Sequence, residues 1–126
     1  MTRRSLVICL VLALAGTVYA AVSENVKLTG YVVDNACAAR SAGDNVVEKV
    51  KAHTVKCAAM PNCAKSGYSI VTADGKVYKL DDTGNAKVAE ILKNTKVEKG
   101  LSVNVEGMVE GDTIKVASIS EAAATS

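Results

Sequence analysis

Apolar residues recur at every second position over residues 26–33. Val26, Leu28 and Val32 share one side, with Gly30 in the same register. Period two over this length predicts a strand, and a glycine inside it predicts a bend or bulge of the kind a curled sheet needs. From Asp44 to about Ala59 the spacing changes. Val46, Val50, His53 and Cys57 follow a four-three-four interval and fall on one stripe, while Lys49, Lys51 and Lys56 lie mostly off it. That pattern predicts a helix with Asp44 as its N-cap and Pro61 as its stop. Residues 34–43 read as a loop carrying Cys37.

Alternation returns at 68–73 and 76–81, two short strands around the hairpin signal Ala73-Asp74-Gly75. Residues 86–95 predict a second helix, whose apolar face is Val88, Ala89, Ile91 and Leu92. Leu101, Val103 and Val105 alternate with Ser102, Asn104 and Glu106 in a fourth strand that Gly107 interrupts. Glu110-Gly111-Asp112 turns the chain into a last strand at 113–119, and 122–126 reads as a frayed tail. No internal repeat or linker divides the chain. The expected fold is mainly β with two helices.

The order is strand, helical insertion, strand, strand, helix, strand, strand. With the insertion at about 34–67 set aside, this is the layout of an OB-fold, a partly open Greek-key barrel of five strands. The segments Leu28-Thr29-Gly30-Tyr31-Val32-Val33-Asp34 and Val105 to Val116 resemble the corresponding strands of small exported bacterial OB-fold-like proteins, most of them functionally uncharacterised. The resemblance covers most of the chain beyond residue 20 and rests on strand order and texture. It implies one OB-like domain over 21–126, with a cysteine-containing helical insertion between strands one and two.

Residues 1–20 read as an export signal. Arg3 and Arg4 form a positive start, an apolar run follows from Leu6 to Ala15, and Val18-Tyr19-Ala20 supplies the cleavage positions. A retained anchor is the alternative, and the Thr2-Arg3-Arg4-Ser5-Leu6 start faintly resembles a twin-arginine signal. The protein is therefore expected to be exported, to a periplasm or the extracellular space, with no membrane anchor after cleavage. The 15 basic residues less Arg3 and Arg4 leave 13, against 13 acidic residues. A balanced chain lacks the basic footprint that nucleic acid or anionic lipid requires. The chain has no Phe and no Trp, so the core must come from aliphatic residues and a few Tyr.

The chemistry is concentrated in Cys37, His53, Cys57 and Cys63. Thiols sent into an oxidising compartment pair or take a metal. Cys9 leaves with the signal, so three cysteines remain and one disulfide would leave one thiol over. In an OB-like barrel strands one and two are antiparallel neighbours. Cys37 and Cys63 would then flank the neck of the insertion, where a bond between them would clasp it and contribute roughly 3 kcal/mol through the unfolded state. A Cys57–Cys63 bridge around Pro61 is the other pairing. Alternatively, Cys37, His53, Cys57 and Cys63 together would complete a tetrahedral site for zinc or copper, with Met60 as a further thioether for copper. A third reading is a reactive Cys57 assisted by His53. There is no Cys-x-x-Cys pair, haem-attachment motif or phosphate loop.

Asp34, Tyr31, Tyr68 and Tyr78 are candidates for a small ligand-binding face, although an Asp-Asn pair at a strand end more often makes a turn. The leading expectation is a non-enzymatic OB-like binding module without a cofactor, stabilised by a Cys37–Cys63 disulfide. Its partner would be a small ligand, a metal ion or a protein of the cell envelope. The alternative is an envelope protein that binds zinc or copper, or reacts through a thiol, using the cysteine and histidine cluster.

Overall fold

The computed structural model describes residues 24–123. The expected export signal and the last residues of the expected frayed tail lie outside the described residues. Five strands close into one barrel: β1 (Glu24–Asp34), β2 (Tyr68–Thr72), β3 (Val77–Leu80), β4 (Ser102–Glu110) and β5 (Thr113–Glu121). Around the barrel the order is β1-β2-β3-β5-β4, and β4 returns to β1. All neighbours are antiparallel except β3 and β5, which run parallel through Lys79 beside Thr113 and Leu80 beside Ile114. The barrel is thus a closed, mixed one, and all five expected strands are present.

Alternation explains the interior. Val32, Ile70, Leu80, Val103, Val105, Ile114 and Val116 turn inward with Tyr68 to form one apolar core. Long β1 spans the barrel by pairing with β2 at its end and with β4 along most of its length. Gly30 sits where both pairings meet, and a Cβ there would come within 2.9 Å of the Val71 carbonyl oxygen. The β4–β5 register shifts between Glu106 and Gly107, a bulge at the expected bend. A Cβ at Gly107 would lie 2.2 Å from the Lys115 carbonyl oxygen, so only glycine permits this approach.

Between β3 and β4 runs the longest helix, α5 (Asp82–Asn94), which starts four residues earlier than its apolar pattern predicts. Asp81 caps it by accepting from the Gly84 amide at 3.0 Å. Its Val88 and Leu92 join the barrel core, with Ala89 and Ile91 partly buried beside them.

The β1–β2 connection, residues 35–67, departs from expectation. It contains four short helices: α1 (Asn35–Ser41), α2 (Val46–Lys51), α3 (Val55–Ala58) and α4 (Pro61–Lys65). The described residues therefore carry five helices instead of two. The expected loop at 34–43 is helical because Asp34 caps it and Ala36, Ala38, Ala39 and Arg40 favour helix. Asp44 caps nothing: α2 starts after Asn45, whose backbone is left-handed. Pro61 does not end a helix but opens one, at the first-turn position where its missing N–H costs nothing.

The expected helix at 44–59 is split, with a break at 52–54. Here the 98–100 strip takes over the backbone hydrogen bonds. The Val55 amide donates to the Glu98 carbonyl at 2.9 Å, and the Gly100 amide donates to the His53 carbonyl at 3.0 Å. Thr54 bridges Lys99 in extended conformation, and its hydroxyl then caps α3 by accepting from the Cys57 amide at 3.1 Å. A second apolar cluster of Val33, Ala38, Val50 and Val71, with Val46 and Val47, packs α1 and α2 onto the outside of the barrel wall. No helix among the described residues is long and apolar enough to cross a membrane.

Candidate metal centre

The site begins with Asp34, the last residue of β1 and wholly buried. A buried carboxylate must have partners. One oxygen, Oδ2, accepts the Cys37 amide at 2.9 Å as the cap of α1. The other, Oδ1, lies 3.0 Å from His53 Nε2, on a ring whose side chain is only 12 % exposed. His53 reaches it because the chain is extended at the break after α2. Gly100 makes that break possible, with φ of +65° and a Cβ position 2.7 Å from the Lys51 carbonyl oxygen.

Two thiols complete the group. Cys37 projects from α1 and accepts a hydrogen bond from the Arg40 guanidinium at 3.3 Å. Cys57 comes from α3, which the Tyr68 hydroxyl pins to the barrel by donating to the Ala58 carbonyl at 3.0 Å. One donor atom from each of Asp34, Cys37, His53 and Cys57 lies within 4.8 Å of the others. These four residues could hold a metal ion: two sulfurs, an imidazole nitrogen and a carboxylate oxygen converge on one point.

The local electrostatics favour a cation there. Burial pushes the Cys37 thiol up to about 11, against the opposing pull of Arg40 and with help from the negative Asp34. Burial first, and then the Asp34 and Cys57 charges, also raise the Cys63 thiol. Tyr68 is raised for the same two reasons, burial and then Asp34. Each of these groups resists becoming an anion beside a carboxylate already buried. A metal ion would neutralise that field and displace the Cys37 proton.

The structure redistributes the expected residues. Cys37, His53 and Cys57 come together as expected, but Asp34 occupies the place expected of Cys63. Cys63, on α4, does not join the four-donor group. No disulfide joins Cys37 to Cys63, because all three cysteines among the described residues are free thiols. The neck is clasped instead by Asn35. Its side-chain amide donates to the Ser66 carbonyl at 2.9 Å, its oxygen accepts from the Ser69 hydroxyl, and its backbone amide donates to the Gly67 carbonyl at 2.9 Å.

Asp34, Tyr31, Tyr68 and Tyr78 do not make one ligand face. Tyr68 is 2 % exposed inside the barrel core and Tyr78 packs against that core, whereas Tyr31 packs with the outer cluster. Asp34 belongs with the sulfurs. Its role had one signal in the sequence: an acidic residue followed by a short run rich in alanine is an N-cap pattern, which buries one carboxylate oxygen and aims the other. Asn35 had no such signal. No known protein family, curated protein or solved structure matched this chain.

Proposed function

We propose that this is an exported OB-like barrel whose β1–β2 connection binds a single zinc ion through Asp34, Cys37, His53 and Cys57. The observation that carries the reading is the convergence of four donor atoms from β1, α1, the break at 52–54 and α3 within 4.8 Å of one another, around a carboxylate with no exposure to solvent. The donor set is mixed. Soft thiolates alone suit copper(I), but a carboxylate and an imidazole alongside two thiolates suit a borderline ion with a tetrahedral preference. Charge agrees: Zn²⁺ with two thiolates and one carboxylate carries one negative charge, and the Arg40 guanidinium on Cys37 Sγ offsets it. Four protein donors fill a tetrahedral shell and leave no position for substrate. The site therefore holds metal rather than performing chemistry on it. The strand order, with one long helix between β3 and β4, supports the OB-like assignment, and the apolar run within residues 1–20 supports export.

The test is native mass spectrometry of the reduced protein titrated with zinc, with a chromophoric chelator as competitor. About one zinc per chain is expected. Asp34→Asn removes one of the four donors and should weaken binding by more than the about 10–100-fold that loss of an outer-shell partner costs. Cys57→Ser should weaken it further. Uptake that is absent, or indifferent to both substitutions, sinks the reading.

A further inference from the structure

The chain between α5 and β4 borders a cavity of about 310 Å³ that the zinc reading does not use. Tyr31 of β1, Lys51 of α2, Val97, Lys99, Ser102 of β4 and Glu121 of β5 line it. Its size lies at the lower end of the roughly 300–1,000 Å³ of small-molecule sites. The walls are fixed by hydrogen bonds that need no ligand. Tyr31 and Ser102 are paired residues of β1 and β4. The Gly100 amide donates to the His53 carbonyl at 3.0 Å, and the Ala122 amide donates to the Ser102 carbonyl at 2.8 Å.

The lining carries charges of both signs. Lys51 Nζ lies 5.9 Å from the centre of the Tyr31 ring and 3.3 Å from Glu48 Oε1, which hold its ammonium beside the aromatic face. The backbone of Lys99 is tied down by its bridge to Thr54. Glu121 is held by the Thr95 hydroxyl, which donates to Oε1 at 2.9 Å and accepts the Val97 amide at 3.1 Å. That bond leaves Oε2 for a cation. Among the described residues neither Lys99 nor Glu121 forms an ion pair. Two ammoniums and one carboxylate thus border one space without neutralising each other, beside the half-buried Tyr31 and Val97.

We propose that this cavity binds a small zwitterion, an α-amino acid with an aliphatic side chain. Its carboxylate meets Lys51 and Lys99, its ammonium meets Glu121, and its side chain covers Tyr31 and Val97. A phosphate or nucleotide would bring negative charge against Glu121, and like charges brought together oppose binding. A simple carboxylate leaves Glu121 without a partner, and a simple amine leaves both lysines without one. The zwitterion is the class that uses every charge in the lining. None of these residues belongs to the four-donor group, so the proposal does not depend on zinc.

The experiment titrates the full chain with L-leucine and follows its backbone amide signals by NMR. Two half-ligands serve as controls: isocaproate lacks the ammonium, and isoamylamine lacks the carboxylate. Leucine should shift the amides of Gly100, Ser102 and Glu121 to saturation. It should bind about three- to tenfold more tightly than either half-ligand, the scale of one partly exposed charge pair. Glu121→Gln keeps an acceptor for the Thr95 hydroxyl and should abolish the preference for leucine over isocaproate. Lys99→Gln should reduce the preference for leucine over isoamylamine. Both residues are exposed, and circular dichroism checks that the variants are folded. The absence of saturable shifts at these amides, shifts confined to other residues, or a preference that survives its substitution unchanged would overturn the proposal.

Discussion

The barrel and the β1–β2 connection are stabilised by different physics. In the barrel Ile70, Val71, Val103, Val105 and Ile114 are all at most 1 % exposed, and every strand is paired on both sides. The connection, residues 35–67, contributes only Ala38, Val50 and Ala58 as buried hydrophobic side chains. Its helices have between four and seven residues, too short to persist alone in water. What shapes it is a set of polar anchors: Asp34 as cap and histidine partner, Asn35 across the neck, Thr54 at the break, and the Tyr68 hydroxyl beneath α3. The apolar part of the molecule can fold by burial. The polar part depends on a few directional bonds.

This contrast can be broken from either side. The largest effect is expected in the barrel. Ile114→Ala leaves a cavity in a side-chain layer with no solvent exposure, and should cost about 2–5 kcal/mol in denaturant unfolding. Zinc stoichiometry should stay unchanged under conditions where the variant is folded. A variant that loses zinc while its barrel remains folded would show that the two regions are not separate in this sense.

A smaller effect is expected in the connection. Gly100→Ala places a methyl on a residue with φ of +65°, 2.7 Å from the Lys51 carbonyl. It should cost about 1–3 kcal/mol. Unlike Ile114→Ala, it should also weaken zinc binding, because the strip that holds His53 must shift. Stability loss with unaltered zinc affinity would argue that His53 is positioned by something else.

The smallest effect is a pH dependence confined to the β2–β3 hairpin. The Thr72 hydroxyl donates to the Asp74 carboxylate, and this holds the Asp74 pKa below its ordinary 3.8. A depressed carboxylate contributes stability that is present above the unfolded-state value and is lost as pH falls through the folded one. Asp74 therefore supports the fold above about pH 4 and ceases to do so in more acidic solution. Thr72→Val should flatten that acid limb slightly, and acid titrations of the two proteins followed by circular dichroism would show it. Identical acid limbs would mean that the bond contributes nothing measurable, as is common for exposed carboxylates.

Much of the barrel was legible in the sequence. A period of two with turn residues between runs is a local signal, and a strand that hides one face has little freedom to choose another register. All five strands, the antiparallel meeting of β1 with β2, and the bend at Gly107 were readable in this way. The connection was not. The stripe of Val46, Val50, His53 and Cys57 is a sound helical pattern, yet the backbone of residues 98–100, more than forty positions away, competes for the same hydrogen-bonding groups and wins.

Cys37, His53 and Cys57 as candidate ligands, and their place in the connection between the first two strands, follow from residue types and periodicity alone. That Asp34 and not Cys63 joins the group that could hold a metal ion was decided only in three dimensions. So was the bracing of the neck by Asn35. The reason is range. Hydrophobic alternation is written in neighbours, whereas a polar site is closed by single atoms brought from distant segments, and shifts of a few ångströms decide which atoms meet.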